Sequence, residues 1–180
     1  VMTGVNTLYN ALLNNPDFTQ LDFSHFKVAS AGGMAVQRVV AEKCKEVTGI
    51  SVSEGYGLTE TSPVLTSNRI DGDIRIGSIG VPLPSTQIII ADDNEQEVPM
   101  GEPGEIYAKG PQVMSGYWQK EEESKNSFSK DGWFKTGDIG VMDEDGFIKI
   151  VDRKKEMINV SGFNVYPNDI ENVVAAHPKV

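Results

Sequence analysis

Residues 55–62, Gly-Tyr-Gly-Leu-Thr-Glu-Thr-Ser, put two glycines, three aliphatic hydroxyls and one carboxylate in eight positions. Glycines 55 and 57 would let the backbone approach a ligand closely. Thr59, Thr61 and Ser62 could bond phosphate oxygens, and Glu60 could hold a hard cation such as Mg²⁺, which prefers oxygen ligands. The P-loop lysine is missing, so this is not a Walker-type loop. A second stretch, 131–164, places Asp138 in what reads as a tight turn, Thr136-Gly137-Asp138. An acidic turn, Asp143-Glu144-Asp145-Gly146, separates two apolar runs, and five consecutive charges follow at Asp152-Arg153-Lys154-Lys155-Glu156. Two β runs interrupted by a solvated charged joint read as a boundary between folded bodies. A turn aspartate and an arginine at that joint could both reach one polyhydroxy ligand lying across it. Each stretch also has a plainer reading, as turn chemistry or a solvated face, and only structural context separates the two.

The elements that must position these groups alternate along the chain. Val5, Leu8, Tyr9, Leu12 and Leu13 share one helical face, ended by Asn14-Asn15-Pro16. Residues 26–31 read as a strand, and Gly32-Gly33 leads into a second amphipathic helix. Val36, Val39, Val40, Cys44 and Val47 face inward there, and Gly49 stops it. Residues 50–54 are the next strand. Strand, helix, strand implies a parallel right-handed crossover with the 55–62 loop at the carboxyl end of its second strand, where ligands of open α/β sheets gather. Beyond residue 77, strands at 87–91 and 104–110 and the runs at 139–142 and 147–151 predict a small, mostly antiparallel β-subdomain. Residues 121–128 read as a charged surface helix. Pro167 suits the first turn of a last helix, with Ile170, Val173 and Val174 inward.

The chain has 180 residues, 39% apolar and 23% charged, enough for a packed core. A net charge of −10 argues against a nucleic-acid partner, because neutralising phosphates needs a basic footprint. The one cysteine, Cys44, excludes an intrachain disulfide and a cysteine-only metal site. It fits a reducing compartment and hence a cytoplasmic location, with peripheral contact at the inner face of a membrane left open. No apolar run approaches the length of a membrane span, and no stretch of these residues reads as a signal peptide. The missing initiator methionine and the helix-ending His177-Pro178 read as the edges of an excised piece.

These pieces, in this order, resemble the adenylate-forming (acyl-activating) superfamily. Tyr56-Gly57-Leu58-Thr59-Glu60 matches its nucleotide motif, residues 104–117 its GE-strand and GY element, and Thr136-Gly137-Asp138 its TGD element. Residues 152–156 match its linker, and 161–171 the start of its small C-terminal domain. DGWFKTGDIG and GFIKIVDRKKEMI, with segments 3–8 and 21–24, resemble the long-chain fatty acid–CoA ligase branch. The fold implied is α/β plus β. Residues 1–75 would end an α/β adenylate-forming subdomain, 76–151 form the antiparallel β-subdomain, 152–156 the hinge linker, and 157–180 the start of an α+β C-terminal domain.

The resemblance further implies acyl-AMP formation from a fatty acid and ATP, then acyl transfer to coenzyme A. By similarity Asp138 and Arg153 would contact ribose, Thr59 the AMP phosphate, and Glu60 Mg²⁺. Gly32-Gly33-Met34 and Glu54-Gly55-Tyr56, with Gly57 and Leu58, would frame the nucleotide and the acyl carboxylate. Lys155 takes the hinge position, and Gly162 would line the pantetheine tunnel. The family's phosphate loop and its catalytic lysine match nothing in this chain, so the piece by itself is expected to be silent and to cover an exposed apolar face by self-association. The alternatives are another acyl-activating ligase, an amino-acid adenylation domain, or a non-catalytic nucleotide-binding or interaction module.

Overall fold

The computed structural model describes all residues except 71, 161, 162, 176 and 178–180. The chain begins with β1 (Met2–Gly4), α1 (Asn6–Leu13), β2 (Ala29–Ala31), α2 (Arg38–Thr48) and β3 (Val52–Gly57). β1, β2 and β3 are parallel neighbours, as the crossover rule requires. β4 (Val64–Ser67) and β5 (Val81–Pro82) extend this sheet antiparallel beyond β3.

Helix α2 buries Val40, Ala41, Cys44 and Thr48, a helical stripe, and Gly49 closes it at φ +76° with its amide on the Lys45 carbonyl. Val39, expected inward, lies one residue off that stripe and is exposed. In α1 the buried face is Asn6, Tyr9 and Leu13, while Val5 and Leu8 are exposed. The Tyr9 hydroxyl decides this: it lies 3.0 Å from the Ser30 carbonyl and 3.2 Å from that of Met2, so its face turns to the sheet. Burial of that hydroxyl pushes its pKa up to about 12. The strand expected from residue 26 shortens to β2, because Phe26 turns back onto Phe23 through a backbone bond and ring contacts with Phe23.

The second sheet is an antiparallel meander of β6 (Gln87–Ala91), β7 (Gly104–Lys109), β8 (Phe134–Met142) and β9 (Ile148–Arg153), with α3 (Glu121–Asn126) between β7 and β8. Its acidic hairpin is as the sequence suggested. Gly146 sits at φ +82°, and Asp143 Oδ1 accepts the amides of Asp145 and Phe147. Arg75 clamps the turn through Asp143 (2.7 Å) and Asp145 (2.6 Å), its guanidinium 3.9 Å from the Phe147 ring centroid. One apolar cluster joins the two sheets, with Tyr56 and Leu65 from the first against Ile106 and Ile148 from the second.

Two expectations about this sheet are corrected. Thr136-Gly137-Asp138 is not a tight turn but lies inside β8. The charged run does not break its strand either: β9 continues through Asp152 and Arg153, and the chain turns only at 154–156. The cross-strand pairing of Asp138 with Arg153 explains why charge is tolerated there.

β10 (Ile158–Val160) and β11 (Phe163–Val165) form a two-stranded ladder before α4 (Pro167–Ala175). Buried Asp152 accepts the Asn168 amide at 3.1 Å, and Asn168 Nδ2 donates to the Val151 carbonyl at 3.2 Å. Because α4 meets β9 through this first turn, Ile170, Val173 and Val174 face solvent rather than inward. No helix among the described residues is long and apolar enough to cross a membrane.

Candidate functional site

The parallel strands end together, and their carboxyl ends open onto a cleft of about 750 Å³. Gly4 from β1, Gly32 and Gly33 beyond β2, and residues 55–60 line it, with Arg153 reaching in from β9. A second cavity of about 460 Å³ shares Leu58, Glu60 and Arg153 with the first and runs on to Asp138, Lys154 and Lys155. Residues 80 positions or more apart in sequence are thus brought to one continuous groove.

Asp138 is the most enclosed charge in this groove, at 6% exposure. Its Oδ2 accepts the Tyr56 hydroxyl at 2.6 Å, and its Oδ1 lies 3.5 Å from Arg153 Nε. Burial raises the carboxyl above its ordinary value, opposed by the Tyr56 hydrogen bond and the Arg153 charge. Tyr56 is pushed far up in turn, first by burial and then by the Asp138 charge. A carboxylate has about four acceptor sites, so the pair leaves capacity for a ligand's hydroxyls.

Glu60 stands where the two cavities join. Its Oε1 accepts the Tyr117 hydroxyl at 2.8 Å, and its carbonyl accepts the Met114 amide at 2.7 Å. Thr59 is exposed at the mouth. Thr61, counted above among the hydroxyls for phosphate, is fully buried. It accepts the Leu58 amide at 2.9 Å and lies 2.5 Å from the Pro63 carbonyl. Its hydroxyl shapes the loop instead. The loop itself is half strand and half 3₁₀ turn: residues 55–57 pair with β4, and Thr59–Thr61 forms the turn.

The glycines differ in purpose. A side chain at Gly33 would meet nothing within 4 Å, but φ is +83°. A β-carbon at Gly57 would overlap the Pro63 carbonyl, so that glycine is required by the chain's own packing. Lys155 is exposed in the 154–156 turn and lines the smaller cavity. Gly162 lies outside the described residues.

Glu54 and Met34, expected to frame the ligand, are not among the cleft's lining residues. Met34 is exposed. Glu54 is 6% exposed and accepts the Val36 amide at 3.0 Å, bracing the 32–36 segment from beneath. Burial raises its carboxyl above the ordinary value, against amide hydrogen bonds from Val36 and Gly77 that lower it. The native state therefore binds this proton more readily than the unfolded chain. Its contribution to stability is greatest below the unfolded carboxyl value, roughly 4.3, and falls as pH rises through the folded value. Glutamine does not titrate. Urea unfolding from pH 4 to 7 should show Glu54→Gln gaining on the wild type as pH rises; a pH-independent gap contradicts this.

Tyr117, Thr136 and Glu105 lie in stretches the sequence marked, 104–117 and 136–138, but none was named as a site residue; the structure ties Tyr117 to Glu60, Thr136 to the Asp138 amide and Glu105 to the Gly137 amide. For Glu105 a signal was available in the sequence: it is a lone carboxylate beside the run Ile106-Tyr107-Ala108.

The AMP-binding enzyme family model matches residues 1–118. The chain is 58% identical over 179 residues to the long-chain-fatty-acid–CoA ligase of Escherichia coli O6:H1, covering 99% of this chain and 32% of that protein. It thus spans about a third of the length of the curated relatives it matches. The ATP-bound MatB from Rhodopseudomonas palustris superimposes at a TM-score of 0.91 with 38% identity, over 98% of this chain and 35% of that one. The O-succinylbenzoate coenzyme A synthetase (MenE) from Bacillus subtilis, in complex with ATP and magnesium, superimposes at 0.85 with 34% identity, over 99% and 36%. A family match across residues 1–118, together with this fold and groove, makes the chain a member of the AMP-binding enzyme family.

Proposed function

We propose that the full-length protein containing this chain is an ATP-dependent long-chain acyl–CoA ligase. The observation that carries the reading is the continuous groove at the strand ends, with Thr59 in its larger part, Asp138 in its smaller part, and Glu60 and Arg153 lining both. The 58% identity to a long-chain-fatty-acid–CoA ligase supports the acyl branch. In the first half-reaction a fatty-acid carboxylate oxygen attacks the α-phosphorus of ATP, the bond to the β-phosphate oxygen breaks, and pyrophosphate leaves. In the second, the coenzyme A thiol attacks the acyl carbonyl, gives up its proton, and AMP leaves.

Gly32, Gly33 and residues 55–58 form the nucleotide floor in this reading. Asp138 accepts the ribose hydroxyls, Arg153 adds a second ribose contact, and Thr59 binds the AMP phosphate. Lys155 is the hinge between the half-reactions, and Gly162 is assigned to the pantetheine arm by the resemblance alone. Among the described residues no group of three or more His, Cys, Asp or Glu gathers to hold a metal. That fits Mg²⁺ held by Glu60 together with substrate phosphates, since this ion is commonly bound by one or two carboxylates plus phosphates. When bound, it neutralises phosphate charge.

The test is ATP–pyrophosphate exchange by the full-length protein with palmitate, an aryl acid or an amino acid. Exchange is expected with palmitate, and Glu60→Gln should lower it by roughly 10²–10³ while raising the Mg²⁺ concentration needed. Exchange with only an aryl or amino acid would move the protein to another acyl-activating branch.

A further inference from the structure

The strand that carries Asp138 is irregular at that point. Glu105 pairs with Ile139 and Tyr107 with Lys135, so Thr136, Gly137 and Asp138 together face Ile106 alone. A bulge of this kind leaves ladder groups unpaired and re-aims a side chain. Buried backbone donors and acceptors must still be satisfied, and here side chains do it. Gly137, at φ +77°, donates its amide to Glu105 Oε1 at 3.0 Å. The Thr136 hydroxyl donates to the Ile106 carbonyl at 2.8 Å and accepts the Asp138 amide at 3.2 Å. The Gly137 carbonyl accepts the Lys154 amide at 2.9 Å.

Glu105 is itself held. Lys154 Nζ lies 3.0 Å from Glu105 Oε2 and 2.7 Å from Asp93 Oδ1. A carboxylate at 7% exposure thus has an amide on one oxygen and an ammonium on the other. Such charge-assisted bonds fix position as well as contributing energy. We infer that Glu105 and Thr136 are positioning residues that hold the 136–138 bulge so that the Asp138 carboxylate faces the groove beside Tyr56 and Arg153. Neither needs to touch the ligand to act. The inference rests on the proposed reading of Asp138 as the ribose contact.

The test measures dissociation constants of ATP, 2′-deoxy-ATP and 3′-deoxy-ATP for the full-length protein by calorimetry. The wild type is expected to prefer ATP. Glu105→Met, similar in length but without acceptors, should lower that preference roughly tenfold, because a hydrogen bond to a charged group is lost with its aim. Glu105→Gln keeps one acceptor for the Gly137 amide and should retain the preference, although Lys154 is released. A folded Glu105→Met protein that keeps the wild-type preference overturns the inference. So does equal weakening of all three nucleotides, which is what a merely structural role would give. If Glu105→Met does not fold, Thr136→Val decides by the same criteria, since it removes the second side-chain support. If the wild type binds all three equally, it is the ribose reading that has failed, and the inference falls with it.

Discussion

Replacing Asp138 with alanine in the full-length protein should weaken ATP binding on the order of 100-fold and also lower stability, and asparagine should separate the two effects. Hydrogen bonds to a charged group contribute about 1.5–3 kcal/mol each, so losing a carboxylate that, in the proposed reading, accepts two ribose hydroxyls reaches that range. The stability effect has a different origin. The Tyr56 hydroxyl, on a side chain 9% exposed, donates to Asp138 at 2.6 Å. Alanine leaves that phenol without its acceptor, at a cost of about 1–3 kcal/mol. Removing a carboxylate whose ionisation burial disfavours offsets part of this. Asparagine offers its carbonyl oxygen to Tyr56 and carries no charge, so it should keep stability and still lose nucleotide affinity. Calorimetry with ATP and urea unfolding on both variants check this. An alanine variant that binds ATP like the wild type would remove Asp138 from the site. A turn aspartate has little packing role; the carboxylate in β8 has one, because its partner comes from the other sheet.

Gly57→Ala should be among the most damaging single-methyl changes in the chain, at roughly 3 kcal/mol, the upper range for inserting volume where nothing can yield. The added carbon would overlap the Pro63 carbonyl and lie 2.8 Å from the Val64 Cα. Both are backbone atoms, and Val64 is the register partner of Gly57 across β3 and β4. Relief therefore requires opening the ladder that shapes the cleft floor, so ATP binding should fall together with the unfolding midpoint. Gly33→Ala is the natural comparison. It meets open space but sits at φ +83°, where a β-carbon costs about 1–2 kcal/mol by conformation alone. An unchanged midpoint for Gly57→Ala in thermal unfolding would mean that the β3–β4 junction is looser than its geometry.

The elements set by near neighbours were legible in the sequence. The Val40 and Cys44 stripe ending at Gly49 marks α2, the short strand-forming runs mark β6 and β7 at nearly their observed limits, and Pro167 opens α4. Two consecutive β runs around a helix also sufficed to place residues 55–60 at strand ends. The errors share one cause. Gly137 and Asp138 are turn formers by local preference, and five charges in a row suggest a broken strand. The bulge in β8 and the continuation of β9 depend on each other and on Glu105 and Ile106, about 30 residues upstream of the bulge. Glu54 entered the site through the resemblance alone; its hydrogen bond from the Val36 amide, 18 positions away, is a tertiary contact that the sequence does not display. Local sequence determines helices, strands and turns because their hydrogen bonds and periodicity span a few residues. Whether a polar side chain serves a ligand or the fold is settled by its partner, and for Asp138 that partner, Tyr56, is 82 positions away.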